Sequence, residues 1–123
     1  MRFTTNFHQA EFLSKDGTLP NDRENAQLIH LAKQLQVVRD ILKVPIGIHS
    51  GHRSYDHNRA IGGKSSSYHM KGMAADISVR GVHPQQLYDL FLILMRLGII
   101  AQGGLHCYPT FVHYDTRGSI VLF

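Results

Sequence analysis

Tryptophan is absent from the sequence, cysteine occurs once, as Cys107, and no long hydrophobic run is present. A single cysteine excludes an internal disulfide framework and any site that needs several thiolates. The longest apolar run, Leu90 to Met95, is much shorter than the roughly 20 residues that a membrane span requires. The sequence turns polar at Thr4, Thr5 and Asn6, so we expect no signal peptide and a product made in the cytoplasm.

Runs of basic residues are also missing, although 13 Lys and Arg against nine acidic residues give a formal net charge of +4. The positive charges are scattered along the chain rather than gathered into an arm or stripe. We therefore expect no nucleic-acid partner. The surplus of positive charge favours a different anionic partner, such as a cell-wall polymer.

The length and composition are those of one globular domain. Of the 123 residues, 43% are hydrophobic and 18% are charged, proportions that are typical of ordinary soluble proteins. No internal repeat, low-complexity tract or linker divides the chain. We predict a single domain over residues 1–123 that acts as a monomer.

Two amphipathic helices are predicted. From Arg23 to Lys43, leucine and valine side chains recur at helical spacing, and Pro45 stops the pattern. The second helix starts at Pro84, because proline suits a first helical turn, and ends near Gly98, a suitable C-cap.

Short strands are predicted at Ile46 to His49 and in the segments "MAADISV", "IIAQ", "FVHYD" and "SIVLF". Between Ser50 and His69 the sequence is rich in Gly, Ser and polar residues with little periodicity, which is typical of an exposed functional loop. These elements predict an α+β fold, in which the two main helices pack on an antiparallel sheet beside a long active-site loop.

Nine histidines are the unusual feature of the composition. His69 and Asp76 lie on either side of Gly72, which lets a loop histidine fold back beside a strand carboxylate. Strand alternation turns Asp76 away from the apolar side, and His113 lies on a strand that could pair opposite it. Two imidazoles and one carboxylate form a ligand set typical of catalytic zinc, with one position left open. The spacing permits a shared metal but does not require one, because each residue taken singly is equally explained as an ordinary polar side chain.

A longer pattern surrounds these residues. The segment "SYHMKGMAAD", from Ser67 to Asp76, resembles the Ser-x-His-x-x-Gly-x-Ala-x-Asp signature of the zinc D-alanyl-D-alanine carboxypeptidases and related peptidoglycan peptidases of bacteria and phages. All of the fixed positions of that signature match. Upstream "SGHRS" and downstream "FVHYDTRG" resemble two further blocks of the family, so the resemblance covers Ile46 to Gly118.

The resemblance implies a zinc peptidase whose metal is held by His69, Asp76 and His113. Zinc in such enzymes activates water for attack on a peptide bond. The implied substrates are peptidoglycan stem peptides, cut near a D-amino acid. Whether the enzyme is a carboxypeptidase or an endopeptidase stays open, as does a role in lysis. Such an enzyme would act at the cell wall after release or after export by another route.

The resemblance also implies substrate-binding residues. Arg53 matches the family arginine that lies beside the substrate, and its planar guanidinium is suited to grip a substrate carboxylate. Ser67 and Asn58 are assigned to the same substrate-binding loop, where they order the chain.

The catalytic base is less clearly indicated. Many relatives have an acidic residue three positions before the last zinc histidine, where this chain has Thr110. The candidate bases are therefore Asp115 and His106. Strand alternation favours Asp115, which shares a face with His113. The alternative role for Asp115 is an ion pair with Arg117, or a hydrogen bond that orients a ligand histidine.

Two other functions stay open at this point. The first is a non-catalytic zinc module, because hedgehog signalling domains resemble these peptidases in fold without hydrolysing peptides, and because Thr110 replaces the acid. The second is a metal-dependent nuclease using His49, His57 and Asn58. These residues precede a Gly-Ser loop, however, rather than the ββα-metal arrangement that such a nuclease needs.

Overall fold

The computed structural model of the protein describes residues 1–123. Its helices are α1 (Asp22–Leu42), α2 (Tyr55–Ala60) and α3 (Pro84–Arg96), and single 3₁₀ turns lie at Gln9–Phe12 and Tyr68–Lys71. The strands are β1 (Ile46–Ser50), β2 (Ala74–Val79), β3 (Gly104–Cys107), β4 (Val112–Asp115) and β5 (Val121–Leu122).

Helix α3 has the end signals that the sequence predicted, whereas the caps of α1 are seen only in the structure. At the start of α1 the side chain of Asn21 accepts a hydrogen bond from the amide of Glu24, and the backbone turns left-handed after the helix, at Lys43. Helix α3 begins at Pro84, and Gly98 follows its end with a φ of 71°. Glycine adopts this conformation without the steric penalty of a Cβ, so the helix stops there. The two predicted helices are confirmed.

The five strands form one sheet in the order β1-β2-β4-β3-β5. The pairs β1–β2, β2–β4 and β4–β3 are antiparallel, and the register of β2 and β4 pairs Asp76 with His113. Strand β5 runs parallel to β3. The end of β4 lies beside the start of β3. A short connection therefore places the start of β5 beside the start of β3, and the two strands run in the same direction. The predicted α+β fold is confirmed, with this one parallel strand at its edge.

The strand predicted at "IIAQ" is wrong. The amide of Ile99 donates to the carbonyl oxygen of Leu94 at the end of α3, and the amide of Ala101 donates to the side chain of Gln34 on α1 at 2.8 Å. This apolar segment therefore connects the two helices instead of pairing with a strand. The sheet resumes at Gly104.

The loop predicted from Ser50 to His69 contains the short helix α2, which its polar composition did not indicate. Ser54 caps α2, because its Oγ accepts a hydrogen bond from the amide of His57 at 3.0 Å. The Gly-Ser part of the loop follows α2 and leads into the 3₁₀ turn that contains His69.

The sheet has an apolar face and a polar face. A cluster of 19 buried hydrophobic side chains joins α1, α3 and the apolar face. Within it the ring centroids of Phe91 and Tyr114 lie 5.0 Å apart. Burial of one such large side chain contributes about 1.5–3 kcal/mol. The alternation of β2 and β4 leaves Asp76 and His113 on the polar face. No helix combines the length and apolar character that crossing a membrane would need.

Candidate metal centre

Three residues from separate parts of the chain meet at the polar face of the sheet. His69 lies in the 3₁₀ turn, Asp76 on β2 and His113 on β4. Nε2 of His69 lies 3.3 Å from Oδ1 of Asp76, and Nδ1 of His113 lies 3.2 Å from the same oxygen. All three residues are buried, and their ligand atoms lie within 4.8 Å of one another. This group, which the sequence indicated, is close enough to share one metal ion.

In each of the two histidine rings, the nitrogen that points away from Asp76 has a hydrogen-bond partner that fixes the ring. Nδ1 of His69 lies 2.8 Å from the carbonyl oxygen of Gly51, and Nε2 of His113 lies 2.8 Å from Oδ2 of Asp115. Both partners accept hydrogen bonds, so these two nitrogens carry protons, and the opposite nitrogens, which face Asp76, can donate to that carboxylate when protonated or bind a metal ion when deprotonated. Metal-binding histidines typically have such partners. Two imidazoles and one carboxylate, supported in this way, suit a zinc ion with an open position.

Burial and hydrogen bonds together set the charge of the group. Burial acts to raise the pKa of Asp76, but hydrogen bonds from His113 and His69 outweigh it, and the pKa lies well below its usual range. Burial acts to lower the pKa of His113, but hydrogen bonds to Asp115 and Asp76 prevail and raise it. Asp76 is therefore an anion, and the centre of the group favours a positive charge, as a metal site requires.

Asp115 lies fully buried behind His113. Its Oδ1 accepts a hydrogen bond from the amide of Gly104 at 2.7 Å, and its Oδ2 lies 2.7 Å from Nη2 of Arg117. Burial acts to raise the pKa of Asp115, but hydrogen bonds from His113 and Arg117 prevail and lower it. His69, Asp76 and His113 are together called the metal cluster, meaning the group of residues that could hold one ion. Asp115 does not line the cleft in front of this cluster. This placement suits a residue that orients the ring of His113.

Arg53 connects the loop to the metal cluster. Its Nη2 lies 3.3 Å from Oδ2 of Asp76, and its Nε donates to Oγ of Ser50 at 3.2 Å. Its backbone amide donates to the carbonyl oxygen of His69 at 3.0 Å. Both the side chain and the backbone of Arg53 therefore contact metal-cluster residues.

Asn58 and Ser67 hold the shape of the loop. Asn58 is buried, and its Nδ2 donates to the carbonyl oxygen of Lys64 at 2.9 Å. Ser67 caps the 3₁₀ turn, because its Oγ accepts a hydrogen bond from the amide of His69 at 3.2 Å. Ser67 and Arg53 line the cleft, whereas Asn58 lies behind it.

A cleft of about 660 Å³ lies in front of the three ligand residues. One wall contains His106 and Phe123, whose rings stack with centroids 5.1 Å apart. His106 is paired with His113 in the register of β3 and β4, and both residues line the cleft. Arg53 and most of the loop residues from Gly62 to Ser67 also contribute to the lining, and the exposed Thr110 lies outside the cleft. Of the two candidate bases, only His106 borders the space in which a substrate would lie.

The sequence profile of a known family, described as Peptidase M15, matches residues 5–115. The chain belongs to the peptidase M15 family. Peptidases of this family are zinc-dependent, so this M15 protein is a metallopeptidase, and the cluster of His69, Asp76 and His113 could bind its metal. The family resemblance that the three motif blocks indicated is confirmed. A search of curated proteins found no match to the chain.

The M15 chain contains only one group of three or more His, Cys, Asp or Glu residues that is close enough to share a metal ion. The residues considered for a nuclease, His49, His57 and Asn58, do not form a second possible metal-binding group. His49 instead pairs with Ser78, with Nε2 and Oγ 2.6 Å apart. His57 lies on α2, where its amide is bound by the cap of that helix.

Two contacts of the M15 site had no signal in the sequence. His52 is buried, and its Nε2 lies 3.4 Å from Oε1 of Glu24, a residue in the first turn of α1. The ring of Phe123 lies 5.4 Å from the ring of His113, measured between centroids. Both contacts join separate segments, and periodicity indicates only the face of one element on which a side chain lies. A third contact, from Arg117 to Asp115, was indicated by the "FVHYDTRG" block.

Proposed function

We propose that this M15 peptidase hydrolyses peptidoglycan stem peptides next to a D-amino acid, as a D-Ala-D-Ala carboxypeptidase or a related endopeptidase, including in bacterial or phage lysis. The observation that supports this most directly is a buried cluster of His69, Asp76 and His113 that borders an open cleft with Arg53 in its wall. In this proposal the protein acts as a monomer on the cell wall and binds no nucleic acid.

The chain's own residues prepare the cluster for the reaction. A bound zinc ion supplies Lewis acidity, which polarises a peptide carbonyl and makes water a stronger acid. Gly51 and Asp115 accept the ring protons of His69 and His113, so the rings present Nε2 and Nδ1 to the metal position. Arg53 contacts the second carboxylate oxygen of Asp76 and limits how that carboxylate can turn.

Arg53 is the proposed contact for a carboxylate of the substrate. It lines the cleft, and 15% of its side chain remains exposed beside the bonds to Asp76 and Ser50. A guanidinium makes strong, charge-assisted hydrogen bonds to a carboxylate. A terminal carboxylate at this position corresponds to a carboxypeptidase, and a carboxylate within a longer peptide corresponds to an endopeptidase.

Proton transfer is assigned to His106 in this proposal, and Asp115 is given the orienting role. His106 borders the cleft on the strand next to His113, whereas Asp115 is fully buried and bonded to His113, Arg117 and Gly104. His106→Gln should keep zinc and the fold, and should lower kcat by a factor of about 10² or more. A His106→Gln variant with wild-type kcat would contradict the assignment.

The proposed reaction is tested by incubating the zinc-loaded protein with purified peptidoglycan and with defined stem peptides, and by identifying the products by mass spectrometry. We expect release of D-alanine or cleavage of crosslinks, loss of activity on chelation and recovery on adding zinc. His113→Ala is the negative control, because it removes one of the three metal ligands.

Zinc binding without any product from these substrates would contradict the proposed reaction. That outcome would favour the non-catalytic zinc module, which the replacement of the usual acid by Thr110 also favours. Binding of the same stem peptides would then be measured directly.

A further inference from the structure

A second cavity, of about 510 Å³, lies next to the catalytic cleft. The two spaces share Tyr68 and Arg117 in their walls. The first turn of α1 and the end of the 3₁₀ turn supply other parts of its lining, including Arg23, Glu24 and Lys71. A peptide that lies in the catalytic cleft can therefore continue across Tyr68 into this second cavity.

Two of the charged residues in the second cavity already have partners within the chain. The carboxylate of Glu24 accepts a hydrogen bond from the amide of Asn21 at 2.9 Å and lies 3.4 Å from Nε2 of His52. The guanidinium of Arg117 is paired with Asp115. Both charges are therefore already compensated by a partner within the chain.

Two positive charges in the second cavity have no acidic partner. Arg23, in the first turn of α1, and Lys71, at the end of the 3₁₀ turn, are exposed and form no ion pair within the chain. Nζ of Lys71 lies 4.8 Å from the ring centroid of Tyr68. The second cavity is therefore electropositive beside an aromatic ring.

We propose that the second cavity is a subsite for an aliphatic side chain of the substrate that ends in a carboxylate, with Arg23 and Lys71 binding the carboxylate. Tyr68, Met70 and Met73 supply apolar surface for the aliphatic part. This proposal rests on the proposed function, because it places a peptide in the catalytic cleft. The acidic side chain belongs to a residue away from the bond that is cut.

The test uses pairs of stem peptides that differ only in one side-chain carboxylate or carboxamide, placed at successive positions from the scissile bond. For the zinc-loaded protein we expect one position at which the acid is preferred in kcat/KM by about fivefold or more, a factor typical of two exposed ion pairs. The double variant Arg23→Gln and Lys71→Gln should bring this ratio close to one. A control double variant, Lys33→Gln and Arg96→Gln, removes the same charge from exposed positions elsewhere and should keep the ratio.

The subsite and the proposed reaction fail in different ways. If no peptide is cleaved, the proposed reaction fails, and the same ratio is then taken from the Kd values of the peptide pairs on the same protein. Equal values for acid and amide at every position would overturn the subsite. An unchanged ratio in the Arg23→Gln and Lys71→Gln variant would also overturn it.

Discussion

The two histidines of the metal cluster are held by different kinds of structure. His113 lies on β4, where sheet register pairs it with Asp76, and its ring rests on the fully buried carboxylate of Asp115. His69 lies in a one-turn 3₁₀ helix, and its ring rests on the backbone carbonyl of Gly51. We call β4 with His113 and Asp115 the strand side of the site, and the 3₁₀ turn with His69 and the segment from Gly51 to Arg53 the loop side. The strand side depends on a buried ion network, and the loop side depends on backbone packing. We expect the strand side to control metal affinity and stability, and the loop side to control how a substrate is held.

Backbone packing on the loop side is tight. A Cβ placed on Gly72 would lie 2.4 Å from the carbonyl oxygen of Glu24, and one placed on Gly51 would lie 2.7 Å from Cα of Phe12. Gly72 also has a positive φ of 71°, which other residues rarely adopt. The turn that follows His69 therefore packs directly against α1, and the segment whose carbonyl binds the His69 ring packs against the N-terminal 3₁₀ turn. A loop of polar composition can be held in place without a hydrophobic core of its own.

Among variants that test the difference between the strand side and the loop side, Asp115→Ala should have the largest effect on stability and zinc affinity. The change leaves the Arg117 guanidinium and Nε2 of His113 without their partner, and breaking a buried ion pair typically costs about 3–5 kcal/mol of stability. Loss of a partner that orients a metal ligand weakens metal binding by about 10–100-fold. Chemical denaturation and zinc competition titrations measure the two effects. A variant with wild-type zinc affinity would show that Asp115 does not orient His113.

Gly104→Ala tests the strand side without removing a charged group. The added Cβ would lie 2.4 Å from Oδ2 of Asp115 and 2.5 Å from Nη2 of Arg117, so the ion network has to move. Overpacking of this kind costs about 1–3 kcal/mol. The control is Gly47→Ala, where the nearest atom, the carbonyl oxygen of Ser78, lies at 3.6 Å. Thermal unfolding and zinc analysis should separate the two variants, and equal behaviour would contradict the account.

Arg53→Lys tests the loop side. It keeps the charge but loses the planar fork, so kcat/KM on the best stem peptide should fall by about tenfold, the loss of one charge-assisted hydrogen bond. Zinc content and melting temperature should stay near the wild-type values. If zinc binding falls as far as in Asp115→Ala, the two sides are not separable in the way proposed.

The smallest expected effect concerns Asp16, which ties the start of α2 to the N-terminal segment. Its Oδ2 accepts a hydrogen bond from Oγ of Ser54 at 2.5 Å, and bonds from Ser54 and Ser14 hold the pKa of Asp16 well below its usual range. A lowered folded pKa adds stability above the unfolded pKa, near 3.9, and that contribution is lost as the pH falls through the folded pKa. The wild type should therefore lose slightly more stability than Asp16→Asn on acidification. Urea denaturation at about pH 6 and about pH 3 measures this, and identical losses would contradict it.

Much of the strand side could be predicted from the sequence. The two-residue alternation of β2 places Ala75 and Ile77 in the core and Asp76 on the polar face, and both placements are observed. The same alternation placed Asp115 on the face of His113 and made it a candidate base. The pair with Arg117 was only one of two roles that the sequence left open, and alternation could not indicate that Gly104 also contacts this carboxylate, because it identifies a face and not the neighbours that cover it.

The loop side was predictable only through its motifs. The blocks around Arg53 and His69 indicated the site, but nothing local indicated α2 or the contact of His52 with Glu24, which depends on how α1 packs. The error at "IIAQ" has a similar cause. An apolar segment suits a strand or a buried connection equally well, and its observed partner, the side chain of Gln34, lies on a helix distant along the chain.

The central claim is that His69, Asp76 and His113 bind one zinc ion, with His113 using Nδ1 because Asp115 holds its Nε2. Anomalous diffraction at the zinc edge, from crystals of the zinc-loaded protein, tests it most directly. The account predicts one peak at about 2.0–2.1 Å from Nε2 of His69 and Nδ1 of His113, and about 2.0–2.2 Å from an oxygen of Asp76. A peak at another site, or a His113 ring turned to bind through Nε2, would contradict it.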